Sequence, residues 1–265
     1  MIDTGTDKLL VEVDEGIARI TFNNPEKRNA LSIEMRAALP GVLAALNDDP
    51  EVRVLVIRGA GGKAFLSGAD IREFGGHRTS PGARAAYDRA SATTLKAWSD
   101  VGKPIIAMIQ GYCIGGGLLT AMAADIRIAS DDSQFGVPAA RLGLGYAFAG
   151  AAQLMDLVGP GWAAEILFSA RRLNAVEARD IGLINRFVPA SRLEDEVMEL
   201  ADVISGNAPL TIAAVKAALR EARRDPVDRD LPRVAALVEA CFRSADYLEG
   251  QQAFAEKRPP KFTGR

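Results

Sequence analysis

The first regular pattern along the chain is a pair of short apolar runs, Leu9–Val13 and Ile17–Phe22, separated by Asp14-Glu15-Gly16. Glycine accepts positive φ at a tight turn, so the spacing predicts a β-hairpin. The polar NNPEKRNA that follows predicts a loop. Ser32 is placed to cap a helix carrying Met35, Leu39, Val42, Leu43 and Leu46 at helical spacing. VRVLVIRG (52–59) is β-branched and ends in glycine, the pattern of a buried strand. GAGGKA predicts a loop, and FLSGADIREFGG a turn followed by at most a short helix.

Helical spacing returns from Ala83 to Val101 and is stopped by Lys103-Pro104. PIIAMIQG and DIRIAS predict strands on either side of a glycine-started helix over Gly115–Ala124. Helices dominate from Gly150 onward. Asn174 and Glu177 fit a capping box, LINRFV predicts one late strand, and Pro209, Pro226 and Pro232 punctuate the C-terminal helices. Strands alternate with helices through the first two-thirds, and the recurring strand-strand-helix rhythm suggests stacked ββα turns. The fold class is α/β, a core over residues 1–200 with a helical C-terminal subdomain over 201–265.

Composition narrows the function classes. The chain has 265 residues, 48% hydrophobic and 25% charged, with a formal net charge of −2. No basic footprint for nucleic acid and no like-charge block for a membrane surface is present. The apolar stretch from Ile105 to Ala124 is broken by Gln110 and glycines and predicts buried core rather than a membrane span. Two cysteines and one histidine, unclustered, argue against a metal site. MIDTGTDKLL lacks the pattern of a secretory signal, so the expectation is a cytoplasmic protein with reduced thiols.

The distinctive chemistry lies in GYCIGGGLLTAMAAD (111–125), where a strand feeds a helix through glycines. Free N–H groups at a helix start favour negative charge. A phosphate-binding loop would end in Gly-Lys-Ser/Thr, and Leu118 and Leu119 stand there instead. A dinucleotide fingerprint would be GxGxxG near the first strand, and GxxxGGG deep in the chain does not match. An oxyanion hole needs a second donor, for which the small-residue turn SGAD (67–70) offers the Ala69 N–H. From the residues alone, an oxyanion hole and a pair of packing turns both remain open. Cys113 predicts a small buried hydrophobe.

Five stretches, in order, resemble the crotonase, or enoyl-CoA hydratase/isomerase, superfamily: NPEKRNAL (24–31), FLSGADIREF (65–74), KPIIAMIQGYCIGGGLLTAMAADIRIA (103–129), FGVPAARLGL (135–144) and AFAEKRPPKF (253–262). The resemblance implies a spiral of ββα turns with a helical C-terminal region that trimerises, as a homotrimer or homohexamer. It implies no permanently bound cofactor, with coenzyme A arriving as part of an acyl-CoA thioester substrate. The thioester oxygen would be held by the N–H groups of Ala69 and Gly116. Asp70 and Ile71 follow in the first oxyanion motif. Lys27 or Arg28 would lie near the CoA nucleotide, and Phe254 and Lys257 match positions that often contact CoA bound mainly by a neighbouring subunit.

Hydratases of this family carry two glutamates that orient and relay a proton of the attacking water. The matching positions here are Leu119 and Ala139. Loss of a general acid or base costs about 10²–10⁴-fold, so efficient hydration by that route is not expected. Tyr146, in LGLGYAFAG, resembles a tyrosine of the methylmalonyl-CoA decarboxylase branch, where a thioester enolate forms by loss of CO₂. His77, in GGHRTSPG, is a candidate base, since an unperturbed histidine side chain suits that work at neutral pH. The alternatives are a decarboxylase-like lyase using Tyr146 and an acyl-CoA-binding protein without catalysis.

Overall fold

The computed structural model describes residues 2–69 and 81–265. Strand β1 (Leu9–Asp14) turns back into β2 (Ile17–Phe22) through Glu15 at φ 48° and Gly16 at φ 83°, with Asp14 facing Ile17 as the closing pair. Two consecutive left-handed residues match the right-handed twist of the strands, which explains the two-residue turn. Helix α1 (Ile33–Asp48) starts where the Met35 N–H donates to Ser32 Oγ (3.2 Å), and it buries Met35, Leu39, Val42, Leu43 and Leu46.

Four strands follow in pairs: β3 (Val54–Gly59) with β4 (Ala64–Leu66), and β5 (Ile105–Ile109) with β6 (Tyr112–Ile114). Strands β7 (Ile126–Ser130) and β8 (Gln134–Gly136) repeat the arrangement, and β9 (Leu173–Asn174) and β10 (Arg186–Val188) complete the set. One sheet has the order β1-β2-β3-β5-β7-β10 and the other β4-β6-β8-β9. Each pair thus gives its first strand to the large sheet and its second to the small one, and then a helix follows. The helices are α2 (Pro81–Asp100), α3 (Gly116–Met122) and α4 (Phe148–Ser169). This is the ββα rhythm the sequence suggests. The corner between β5 and β6 requires Gly111, at φ +67°, because a Cβ there would lie 2.2 Å from the Lys63 carbonyl oxygen.

The unbroken apolar runs of β3 and β5 reflect burial on both faces. In β3, Leu55 and Ile57 join the main core with α1, while Val54 and Val56 join a second core. That second core is closed by Leu193, Val197 and Ala201 of α6 (Leu193–Ser205), the helix after α5 (Ala175–Asp180). Each such valine, leucine or isoleucine contributes about 1.5–3 kcal/mol by leaving water. Arg127 is the exception inside β7. It donates to the carbonyls of Leu183 (2.8 Å) and Ala124 (2.7 Å), and burial pushes its guanidinium down to about 10.

Two elements depart from the sequence pattern. Phe65 and Leu66, placed by the pattern in a turn, belong to β4, and the late strand begins only at Arg186. Strands of two or three residues are too short to display a period. Leu183 and Ile184 are buried in the turn before β10, with both N–H groups on the Ala178 carbonyl.

The C-terminal helices α7 (Pro209–Ala222), α8 (Leu231–Arg243) and α9 (Ala245–Glu256) follow α6, which itself runs across residue 200. Buried Lys216 of α7 donates to Asp125 Oδ2 (2.6 Å) and to the Lys103 carbonyl (2.6 Å), and Arg220 donates to the Val101 carbonyl (2.8 Å). Asp125 also accepts from the Ile105 N–H (2.8 Å), so one carboxylate joins α7 to the large sheet. Among the described residues no helix is long and apolar enough to cross a membrane.

Candidate active site

Two turns at the carboxyl ends of β4 and β6 meet. The first, Ser67-Gly68-Ala69, is fastened to the 24–31 loop. Ser67 N–H donates to the Arg28 carbonyl (3.1 Å), its hydroxyl to the Lys27 carbonyl (3.2 Å), and Leu31 N–H to the Gly68 carbonyl (2.7 Å). Asn29 holds that loop in shape. It is fully buried at φ 56°, accepts from Asn24 N–H and donates to the carbonyls of Ala60 (2.8 Å) and Ala64 (2.7 Å). Asparagine is among the few non-glycine residues that enter the left-handed region readily. Sequence reasoning missed Asn29 and Ser67. The asparagine in a polar loop before a capped helix was the available signal.

The second turn is Gly115-Gly116-Gly117. Gly115 N–H donates to the Gly136 carbonyl (2.8 Å), which ties it to the end of β8. A Cβ on Gly117 would lie 1.9 Å from the Leu66 carbonyl oxygen, so only glycine lets α3 lie against β4. Gly116 differs. A Cβ there would meet the Ala69 nitrogen at 3.6 Å, an ordinary contact, and would fill the space beside that N–H. Among the described residues, neither the Ala69 nor the Gly116 N–H donates to a backbone carbonyl. Among the described residues, the fold therefore leaves a backbone donor unused in each of two turns far apart in sequence, with the Ala69 nitrogen 3.6 Å from the place of a Cβ on Gly116.

The side chains at positions 119 and 139 are apolar. Leu119 sits one helical turn on, its N–H on the Gly115 carbonyl (3.1 Å). Ala139 follows Pro138, whose Cδ lies 3.7 Å from the place of a Cβ on Gly115. Leu119, Ala139 and Tyr146 all pack, partly buried, against the main core. Cys113 is fully buried and its thiol is pushed far up by desolvation, which removes it as a nucleophile.

Tyr146 is polar. Its ring and hydroxyl pack 3.1 Å from the place of a Cβ on Gly150. The hydroxyl is buried and has no hydrogen-bond partner among the described residues. Burial pushes the phenol up to about 12, so at neutral pH it stays protonated and is a donor. An orphaned buried hydroxyl costs about 1–3 kcal/mol unless a ligand satisfies it.

His77, Asp70 and Ile71 lie outside the described residues. Lys27 and Arg28 are brought against the first turn through their carbonyls. Phe254 and Lys257 end α9, in the C-terminal helices, where Phe254 is 88% exposed and Lys257 caps the helix at φ 54°. Among the described residues no group of histidine, cysteine, aspartate or glutamate could hold a metal ion.

Comparison with known proteins gives consistent similarities. The family model described as enoyl-CoA hydratase/isomerase matches residues 12–265. The chain is 35% identical over 259 residues to a crotonyl-CoA hydratase of Syntrophomonas wolfei, covering 98% of this chain and 99% of that protein. It is 36% identical to a carnitinyl-CoA dehydratase of Proteus mirabilis, covering 94% and 95%. Among solved structures it is similar to an enoyl-CoA hydratase/isomerase family protein from Hyphomonas neptunium, with TM-score 0.91, 37% identity and coverage of 97% and 98%. An enoyl-CoA hydratase from Bacillus anthracis gives TM-score 0.91 at 30% identity, covering 98% and 100%.

Proposed function

The chain belongs to the enoyl-CoA hydratase/isomerase family, and from that premise we propose that it binds an acyl-coenzyme A thioester and stabilises the thioester enolate with the N–H groups of Ala69 and Gly116. The observation that carries this reading is the pair of unused donors set beside each other, with Gly116 leaving open the space a side chain would fill. Donors fixed in the backbone need no reorganisation as negative charge develops on the oxygen, and removing one such donor costs about 10²–10³-fold in rate. Coenzyme A enters as part of the substrate, with Lys27, Arg28, Phe254 and Lys257 as its contacts.

The reaction is an enolate-forming one other than efficient hydration. Leu119 and Ala139 neither accept nor deliver a proton, whereas water addition needs both. The orphaned Tyr146 hydroxyl favours a second, narrower reading, a decarboxylase-like lyase. A buried protonated phenol is suited to hold an acyl carboxylate until CO₂ departs and the electron pair passes to the thioester oxygen.

The C-terminal helices support assembly as a homotrimer or homohexamer. Helix α8 buries none of its residues against its own chain, and Leu231, Val238 and Phe242 are exposed on it. A groove of about 670 Å³ runs beside it, lined by residues such as Leu210, Ala214, Phe242 and Phe262.

A panel of enoyl-, β-hydroxyacyl- and malonyl-type CoA thioesters, followed by mass spectrometry with binding measured in parallel, tests the proposal. Turnover of a malonyl-type thioester that is lost in Tyr146→Phe supports the lyase. Rapid conversion of crotonyl-CoA to its hydroxy product overturns the exclusion of hydration. Tight binding without turnover leaves an acyl-CoA-binding protein, and failure to bind any CoA thioester overturns the whole reading.

A further inference from the structure

Gly150 stands in the first turn of α4, buried, with its N–H on the Ala147 carbonyl (3.1 Å). Its φ lies outside the left-handed region, so its backbone conformation is open to any residue. Glycine weakens a helix relative to alanine, and the helix by itself gives no reason for it here. The reason lies in Tyr146. The Cε1, Cζ and hydroxyl oxygen of that ring each lie 3.1 Å from the place of a Cβ on Gly150. Gly161, in the same helix and also without a positive φ, has nothing within 4 Å of that place.

From residue 141 to 149 every residue except Tyr146 is exposed, so the chain winds around one inward side chain. This segment is joined to the glycine turn. Leu144 N–H donates to the Ala139 carbonyl (3.0 Å), and the preceding Pro138 packs against Gly115. Tyr146 follows Leu144 by no more than about 7 Å of chain. Among the described residues no hydrogen bond fixes its hydroxyl, so packing decides where the phenol stands.

We propose that Gly150 is a positioning residue for Tyr146, whose phenol lies on the first turn of α4 because position 150 has no side chain, and that this contact sets the hydroxyl against the acyl end of the substrate. The role toward substrate rests on the lyase reading above; the contact itself does not. A methyl at position 150 would push away the far end of a side chain and leave the helix in place. Misplacing a catalytic group by about 1 Å can cost about 10²-fold in rate.

Turnover of a malonyl-type CoA thioester, and carbon NMR of protein labelled at the tyrosine ζ carbon, test this in the wild type, Gly150→Ala, Tyr146→Phe, the double variant and Gly161→Ala. Gly150→Ala should melt no lower than the wild type and turn over at least about tenfold more slowly. The double variant should be no slower than Tyr146→Phe, because Gly150 acts through the hydroxyl. At pH 10, the ordinary midpoint of a phenol, the wild-type Tyr146 stays protonated, whereas the displaced ring of Gly150→Ala ionises in part. The resonance absent from Tyr146→Phe reports this, and Gly161→Ala should match the wild type throughout. Losses that multiply in the double variant overturn the proposal, as does a Tyr146 resonance that Gly150→Ala leaves unmoved. If Gly150→Ala does not fold, recovery of the fold in Gly150→Ala/Tyr146→Leu supports the contact, and failure of both overturns it. A wild type that turns over no malonyl-type thioester removes the lyase reading, and the resonance then decides the contact alone.

Discussion

Helices α3 and α8 make opposite use of apolar residues. In α3, only seven residues long, Gly117, Leu118, Thr120, Ala121 and Met122 are buried by the chain itself. In α8, with thirteen residues and a clear apolar stripe, none is buried. Both stripes suffice to make a helix, but the chain buries the first and covers the second only in part, at Val234, Leu237 and Cys241. Substitutions in α3 should therefore act through the fold or the site, and substitutions in α8 through association.

Gly117→Ala should have the largest effect. Its methyl would occupy the Leu66 carbonyl, and a cost above about 4 kcal/mol is expected. Denaturant unfolding or loss of soluble protein would register it, and a variant of wild-type stability would show that α3 can move away from β4 at little cost.

The bridge between the two regions comes next. Lys216→Met leaves the Asp125 carboxylate without its buried partner and should cost about 3 kcal/mol, read from chemical denaturation at pH 7. The lysine also carries a pH signature. Burial, opposed by Asp125, pushes Lys216 down to about 8 from its ordinary 10.5. Between those values the unfolded chain binds the proton and the folded chain does not, so this group raises stability as pH rises from 8 toward 10.5. The wild type should show that rise relative to Lys216→Met. Lys103, also pushed down by burial, is present in both proteins and cancels in the difference. A flat difference would show that the lysine titrates at its ordinary value in the fold.

Gly116→Ala separates folding from function within α3. Its methyl makes only ordinary contacts, and alanine favours a helix over glycine by about 0.5–1 kcal/mol. Stability should hold or rise slightly while turnover of any CoA thioester accepted by the wild type falls about 10²-fold or more. Full activity would show that the substrate does not use the space beside the Ala69 N–H.

The smallest effect on the chain itself is expected from Phe242→Asp in α8. The side chain is 57% exposed, so unfolding should shift by no more than about 0.5 kcal/mol. The proposed assembly of three or six copies should nonetheless be lost, read by sedimentation. An unchanged mass would move the assembly surface away from α8.

Much of this comparison is legible without coordinates. The hairpin at Glu15-Gly16, the Ser32 cap, the Asn174–Glu177 capping box and the helical spacing of α1 are set by neighbours within a few residues, and each appears as the sequence pattern requires. The five family motifs fixed the family for the same reason, since motif order survives translation into any coordinates.

What the tertiary structure alone decided are contacts between residues distant in sequence. Local periodicity carries no information about the Ala69 and Gly116 nitrogens meeting, the Leu66 carbonyl excluding every side chain from position 117, or Asn29 spanning two carbonyls beyond its loop. The same holds for the orphaned Tyr146 hydroxyl and the contact of its ring with Gly150. The sequence determined which segments become strands, helices and turns, because hydrogen bonding and torsional preference act locally. Packing determined which backbone donors are left unused and where, because a donor is free only when every distant element has taken its place without covering it.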